Sequence, residues 1–275
     1  MINLLHTFSP QAILFSFGPI TVYWYGLLMV LGILVAFAVS SLLAKHYNLS
    51  SDTIFDLSFW LIVSGIIGAR VYDDFLQLPY YIQHPWQSIE IWKGGLAIHG
   101  GIIAGILIVW WFARQKKIDF WKLTAVFTPG LVLAQAIGRW GNYFNQEIFG
   151  LPTNLPWGIP INLINRPPLY LNSPYFQPTF LYESLGCLLI GLFLLSLNIY
   201  AIKNHKLNHI FFIWSTSLYL ILYSLLRFLL EFIRLDPAPE FLGLRWPQFI
   251  SLIIIILTFS FIFLNLHVKN SKKQQ

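Results

Sequence analysis

Apolar positions in this chain fall in long unbroken runs, not in the alternation of a half-buried strand or the one-sided stripe of a surface helix. Seven runs stand out, at about residues 20–44, 54–72, 95–113, 121–138, 179–201, 208–230 and 247–267. Each approaches the roughly 20 residues a helix needs to cross a bilayer. The pattern predicts an all-α polytopic membrane protein with seven transmembrane helices, residues 1–275 forming a single integral membrane domain. Residues 1–19, with Pro10, Gly18 and Pro19 among scattered Phe and Leu, read as an apolar interfacial arm leading into the first span. No Lys or Arg precedes the first run, so a cleaved signal peptide is not expected there. Residues 151–178 hold seven prolines and four asparagines, a composition that favours a long external loop with little regular structure.

Composition agrees with this pattern. Only 10% of residues are charged and 57% are hydrophobic, far too much apolar surface for a soluble domain to cover. Cys187 is the single cysteine, so there is neither a disulfide nor a multi-cysteine metal site to argue from. The net charge of +6 raises nucleic acid as a partner, but its distribution gives a different meaning. Lys45, then Arg114, Lys116, Lys117 and Lys122, then Lys203 and Lys206, then Lys269, Lys272 and Lys273 follow runs one, three, five and seven. By the positive-inside rule those ends are cytoplasmic, so the N-terminus is expected outside and the C-terminus in the cytoplasm.

The remaining basic residues, Arg70, Lys93, Arg139, Arg166, Arg227, Arg234 and Arg245, fall on the outer half and are almost all arginine. A guanidinium binds carboxylate or phosphate through a planar fork, so this half reads as a site for an anion. Arginine at membrane depth costs about 2.5 to 3.5 kcal/mol on insertion scales, and such groups usually face a functional cavity. Arg139 opens the densest polar stretch, Gly138-Arg139-Trp140-Gly141-Asn142-Tyr143-Phe144-Asn145-Gln146-Glu147-Ile148-Phe149-Gly150. In the sixth run Tyr223, Arg227, Glu231 and Arg234 fall within roughly 80° on a helix, a polar face directed into the bundle. The plain alternative for Arg227 and Glu231 is a self-contained i,i+4 ion pair, and for Arg234 a reach toward lipid headgroups.

Three further features complete the constellation. His99 sits between Gly94-Gly95 and Gly100-Gly101 at the start of run three, where its ordinary pKa near 6.5 suits proton transfer and a packing role is the bland reading. Tyr182-Glu183 puts a carboxylate one turn into run five, and Tyr23-Trp24-Tyr25-Gly26 stands where an interfacial aromatic belt belongs. No paired histidine spacing supports a metal site, and Cys187 in its apolar run is a poor nucleophile.

The stretch from Gly138 to Gly150 resembles the signature of the phosphatidylglycerol:prolipoprotein diacylglyceryl transferases, bacterial membrane enzymes of seven spans. Supporting motifs occur in order: Trp24-Tyr25-Gly26, then Gly94-Gly95 through His99-Gly100-Gly101, then Pro178-Thr179 through Tyr182-Glu183, then Tyr223 through Arg227, Glu231 and Arg234. The resemblance implies transfer of the diacylglyceryl group of phosphatidylglycerol to the lipobox cysteine of a preprolipoprotein, with release of glycerol 1-phosphate and no cofactor. It implies catalytic roles for His99, Arg139 and Arg227, the arginines holding the phosphate and the histidine helping to deprotonate the thiol. It further assigns Arg139, Tyr25, Asn142, Glu147, Gly150, Tyr223 and Glu231 to substrate binding. It also implies a plasma (inner) membrane location with the site facing outward. Two positions depart from the family pattern: Ala125 where an aspartate often stands, and Ile102 in place of leucine after His99-Gly100-Gly101. A lipid or anion transporter with an arginine-lined site is the alternative from another class, although clustering of the polar groups at one side and the lack of internal repeats argue against it.

Overall fold

The computed structural model describes residues 2–18 and 20–271. Met1, Pro19 and the polar tail from Lys272 onward, including Lys273, lie outside the described residues. In chain order the elements are α1 (Ile2–Thr7), β1 (Ile13–Phe17), β2 (Ile20–Tyr23), α2 (Trp24–Ala44), α3 (Ser51–Leu76), α4 (Leu78–Gln83), α5 (Ile98–Lys116) and α6 (Phe120–Phe144). They continue as β3 (Ile159–Pro160), β4 (Tyr175–Phe176), α7 (Thr179–Lys203), α8 (His209–Leu230), β5 (Glu240–Phe241), β6 (Leu244–Arg245) and α9 (Trp246–Ser271). Among the described residues, seven helices, α2, α3, α5, α6, α7, α8 and α9, are long and apolar enough to cross a membrane. Every predicted run is realised as a helix.

Local chemistry sets the boundaries. Ser50, Asp119 and Asn208 cap α3, α6 and α8 by accepting from the backbone N–H of Thr53, Trp121 and Phe211 at 3.1, 2.9 and 3.0 Å. Run one begins later than its hydropathy alone implies, because residues 20–23 pair with β1 in an antiparallel hairpin with Phe17 opposite Ile20. The arm therefore contains a short helix and a strand. Helix α6 runs on to Phe144, so the first half of the polar stretch is helical and the second half is the turn that follows it.

Helix α6 is the axis of the bundle. Half of its most apolar stretch is buried, against 17% to 33% for the other spans. It packs closely on α2 along a seam of small residues four apart. A Cβ on Gly32 would meet the Ala134 carbonyl oxygen at 3.1 Å, and one on Gly130 would meet that of Ala36 at 2.7 Å. Helices α3 and α5 make a similar close crossing at Gly68 and Gly100. The starts of α2, α5, α7 and α9 and the ends of α3, α6 and α8 share one end of the bundle, joined by Trp24 stacked on Phe144 at 4.5 Å and the Ala97 N–H donating to Ala69 at 3.0 Å.

Over that end the loop 151–178 folds back in short pieces, with β3 paired to β4. It is tied down by Gln146, which donates to the Pro10 carbonyl at 2.7 Å and accepts from the Asn162 N–H at 2.6 Å. His6 stacks on Tyr175 at 3.8 Å and fastens the arm to the same loop.

Candidate active site

The polar residues at this end form one connected network. Arg139, on the last turns of α6, reaches Glu183 of α7 at 2.8 Å and donates to the Tyr223 hydroxyl of α8 at 3.3 Å through the same nitrogen. Its other terminal nitrogen donates to Asn142 Oδ1 at 3.3 Å. Tyr223 donates to Glu183 at 3.1 Å, so the carboxylate, phenol and guanidinium close a triangle between three helices. Asn142 passes the chain on by donating to Glu147 Oε1 at 2.8 Å, with Asn145 donating to the same oxygen at 3.4 Å.

The second half of the network is built where α8 turns toward α9. Glu231 is 1% exposed and lies 2.6 Å from Arg227, 3.0 Å from Arg245 and 3.8 Å from Arg234. Its carboxylate oxygens are charge-paired but out of line for hydrogen bonds. Arg234 forks onto Asp236 at 2.7 and 2.9 Å, and its third nitrogen stands 3.9 Å from Glu183, which joins the two halves. Burial pushes the Asp236 carboxyl up, but its hydrogen bonds from Arg234 and the charges of Arg234 and Arg245 outweigh this and hold it below 3.8. Four arginines, Arg139, Arg227, Arg234 and Arg245, thus surround three carboxylates, Glu183, Glu231 and Asp236. Four minus three leaves one positive charge in this inner cluster, which Glu147, exposed at the edge of the network, balances.

Tight backbone packing fixes the polar turn. A Cβ on Gly141 would meet the Tyr25 ring at 2.5 Å, so glycine there lets Tyr25 lie against α6 beside Arg139. Gln146 and Ile148, on either side of Glu147, both have positive φ, at 52° and 56°. Such a conformation in a β-branched residue is a genuine outlier, and outliers of this kind collect at functional sites. Gly150 bridges Arg234 in antiparallel fashion and donates to the Gln177 carbonyl at 2.9 Å; a Cβ there would meet the Ile233 carbonyl oxygen at 2.8 Å. The turn is therefore locked to the end of α8.

The network brings together Arg139, Asn142, Glu147, Tyr223, Arg227 and Glu231, with Tyr25 and Gly150 packed around it. His99 stands apart. It is exposed on the first turn of α5 with its ring 5.9 Å from that of Tyr72, and among the described residues it makes no hydrogen bond or ion pair to the arginines.

Glu183, which has no assigned role in the sequence reading, is the hinge of the network, and Arg234 turns inward instead of reaching for headgroups. Two of the outer arginines lie outside this network. Arg70 donates to the carbonyls of Gln87, Ser88, Gly94 and Gly95 and pairs with Asp74 at 3.2 Å. Arg166 donates to Ile161 and Leu171, both at 2.8 Å. Both staple loops.

Among the described residues, seven helices long and apolar enough to cross a membrane, with a charge-dense, arginine-rich cluster at one end, define a polytopic membrane protein. Residues 12–264 match the family model described as prolipoprotein diacylglyceryl transferase. Relatives named phosphatidylglycerol–prolipoprotein diacylglyceryl transferase include one from a Nostoc species, 43% identical over 89% of this chain and 85% of its own length. Others come from a Synechocystis species, 40% identical over 95% and 92%, and from Finegoldia magna, 42% identical over 88% and 90%. The chain belongs to the prolipoprotein diacylglyceryl transferase family.

Proposed function

We propose that this chain transfers the diacylglyceryl group of phosphatidylglycerol to the lipobox cysteine thiol of a bacterial preprolipoprotein, at the outer face of the plasma membrane. The observation that carries the reading is the Arg139–Glu183–Tyr223 triangle joined through Arg234 to the Arg227–Glu231 pair, three arginines converging at one end of the bundle, in a chain of this family. In the reaction the cysteine sulfur forms a bond to the glyceryl carbon while that carbon's bond to the phosphate oxygen breaks. The thiol gives up its proton, and glycerol 1-phosphate leaves.

The leaving group changes from a singly charged phosphodiester to a monoester able to carry a second charge. Donors already fixed at the phosphate favour that change, because they need no reorganisation as charge builds. Arg139 and Arg227 fill this role, and their side chains are more open than that of Arg234, which is 5% exposed and committed to Asp236. Tyr223, Asn142 and Glu231 orient the two forks, and Tyr25 and Gly150 shape the wall. His99, on a separate helix at the same end, is assigned to the thiol proton and not to the phosphate. The excess of lysine at the opposite end supports an outward-facing site.

The test is formation of a thioether on a lipobox peptide incubated with phosphatidylglycerol and the purified protein, read by mass. Arg139→Ala and Arg227→Ala should each lose at least 100-fold in rate. Near-native transfer by both variants refutes the assignment.

A further inference from the structure

Beneath Arg139 a groove of about 200 Å³ runs between α2 and α6, walled by Tyr25, Met29, Ile33, Leu131, Gln135 and Gly138. Met29 and Leu131 are about half exposed, so it opens sideways toward the lipid-facing surface of the bundle. Its lining is apolar apart from the Tyr25 hydroxyl and the amide of Gln135. That amide donates to the Tyr219 hydroxyl at 2.9 Å, while its Oε1 is buried with no hydrogen-bond partner among the described residues. A buried carbonyl left without a donor is destabilising, so the site favours an arrangement that pairs it. Turned over about its last torsion, the same amide would accept from the Tyr219 hydroxyl and free both N–H donors of a residue that lines the groove.

We infer that this groove holds an acyl chain of the lipid substrate and that Gln135 recognises the ester carbonyl at the head of that chain. The inference rests on the transfer reaction proposed above. Gln135 and Arg139 are four residues apart on one face of α6, separated by roughly 6 Å along the axis. That is the reach of a glycerol backbone from its phosphate to its nearest acyl ester, so a phosphate on Arg139 brings the ester to Gln135. The occupant must be neutral, apolar along its length and equipped with a hydrogen-bond acceptor at its upper end. An acyl ester meets all three conditions, whereas a peptide helix is too wide for a cleft between helices packed through Gly32 and Ala134.

Matched phosphatidylglycerols with ester-linked and ether-linked chains separate this idea from the reaction itself. Binding of each lipid to the full-length protein in detergent is measured alongside transfer to a lipobox peptide. The native protein should bind the diester at least fivefold more tightly than the diether. Gln135→Leu should weaken diester binding to the diether level, leave the diether unchanged and leave the peptide KM unchanged. Gln135→Asn, whose amide falls one methylene short, should lose the preference in the same way and serves if the leucine variant does not accumulate. Equal binding of the two lipids by the native protein overturns the inference, as does a preference retained by the variants or a change confined to the peptide KM. Ester preference in binding without any transfer would uphold the groove and refute the reaction.

Discussion

Glu183 makes a sharp test of how the site is held. Its carboxylate is 2% exposed and lies 2.8 Å from Arg139 and 3.9 Å from Arg234, with the Tyr223 hydroxyl donating to it at 3.1 Å. At an effective dielectric of about 20 the Arg139 contact alone is worth roughly 6 kcal/mol of gross attraction, most of it offset by the cost of removing both charges from water. Glu183→Gln keeps the shape and a hydrogen bond but removes the charge, leaving Arg139 and Arg234 underneutralised. The expected net loss is about 2 to 4 kcal/mol of stability. At roughly 2 °C per kcal/mol for a chain of this size, the melting temperature in detergent should fall by roughly 4 to 8 °C. Transfer should fall at the same time, because Arg139 loses one of the partners that aims its fork. The assay pairs a melting curve with single-turnover transfer, both at neutral pH. A variant that melts with the native protein and transfers at the native rate would show that the triangle contributes nothing, and the account of the site would fail with it.

Other expectations follow from the same geometry. Gly141→Ala should push the Tyr25 ring off α6 and cut transfer more than stability, read as a rate loss with a melting temperature shift of only a few degrees. Asp236→Asn should destabilise by about 1 to 2 kcal/mol at neutral pH. Because the Asp236 carboxyl is held below its ordinary value, its contribution is present above that value and is lost as pH falls through the lowered one. Native and variant melting curves should therefore converge only below about pH 4. Arg70→Lys should leave the carbonyls of residues 87–95 short of donors and loosen that loop, seen as faster amide exchange there with α6 to α8 unchanged. Transfer by His99→Gln with the native pH profile would remove the proton role assigned to that residue.

The spans and the clustering of polar groups were legible because membranes impose a strong pattern. Apolar runs of helical length and a lysine bias need no tertiary information. What lay beyond reach was the division of labour among the arginines. Arg70 and Arg166 look like Arg139 in sequence, yet their donors are consumed by backbone carbonyls of loops whose path no periodicity records. Arg234 and Asp236, two residues apart, match no helical spacing, and their pairing depends on the turn that ends α8. Glu183 was visible as a carboxylate one turn into a span, but its central place depends on three helices converging. The β1–β2 hairpin was hidden for a related reason: its strands are only five and four residues long, too short for their alternation to stand out, and the second runs without a break into the apolar stretch of α2. Gln135 gave no sequence signal because one amide in an apolar helix is unremarkable until its neighbours are known.

The Gln146 amide has a consequence for how the molecule comes together. It clasps Pro10 from the beginning of the chain and Asn162 from well past its middle, so the clasp cannot close until four membrane helices and much of the following loop exist. A chain emerging from its amino end must therefore hold its first segment in waiting while more than half of the protein is made. Gln146 itself belongs to the strained turn beside Glu147, so the late contact adds to the local bonds that hold that turn. Assembly order would then act as a safeguard, since the site's carboxylates and arginines meet in their final arrangement only in a chain whose early and late parts have already found each other.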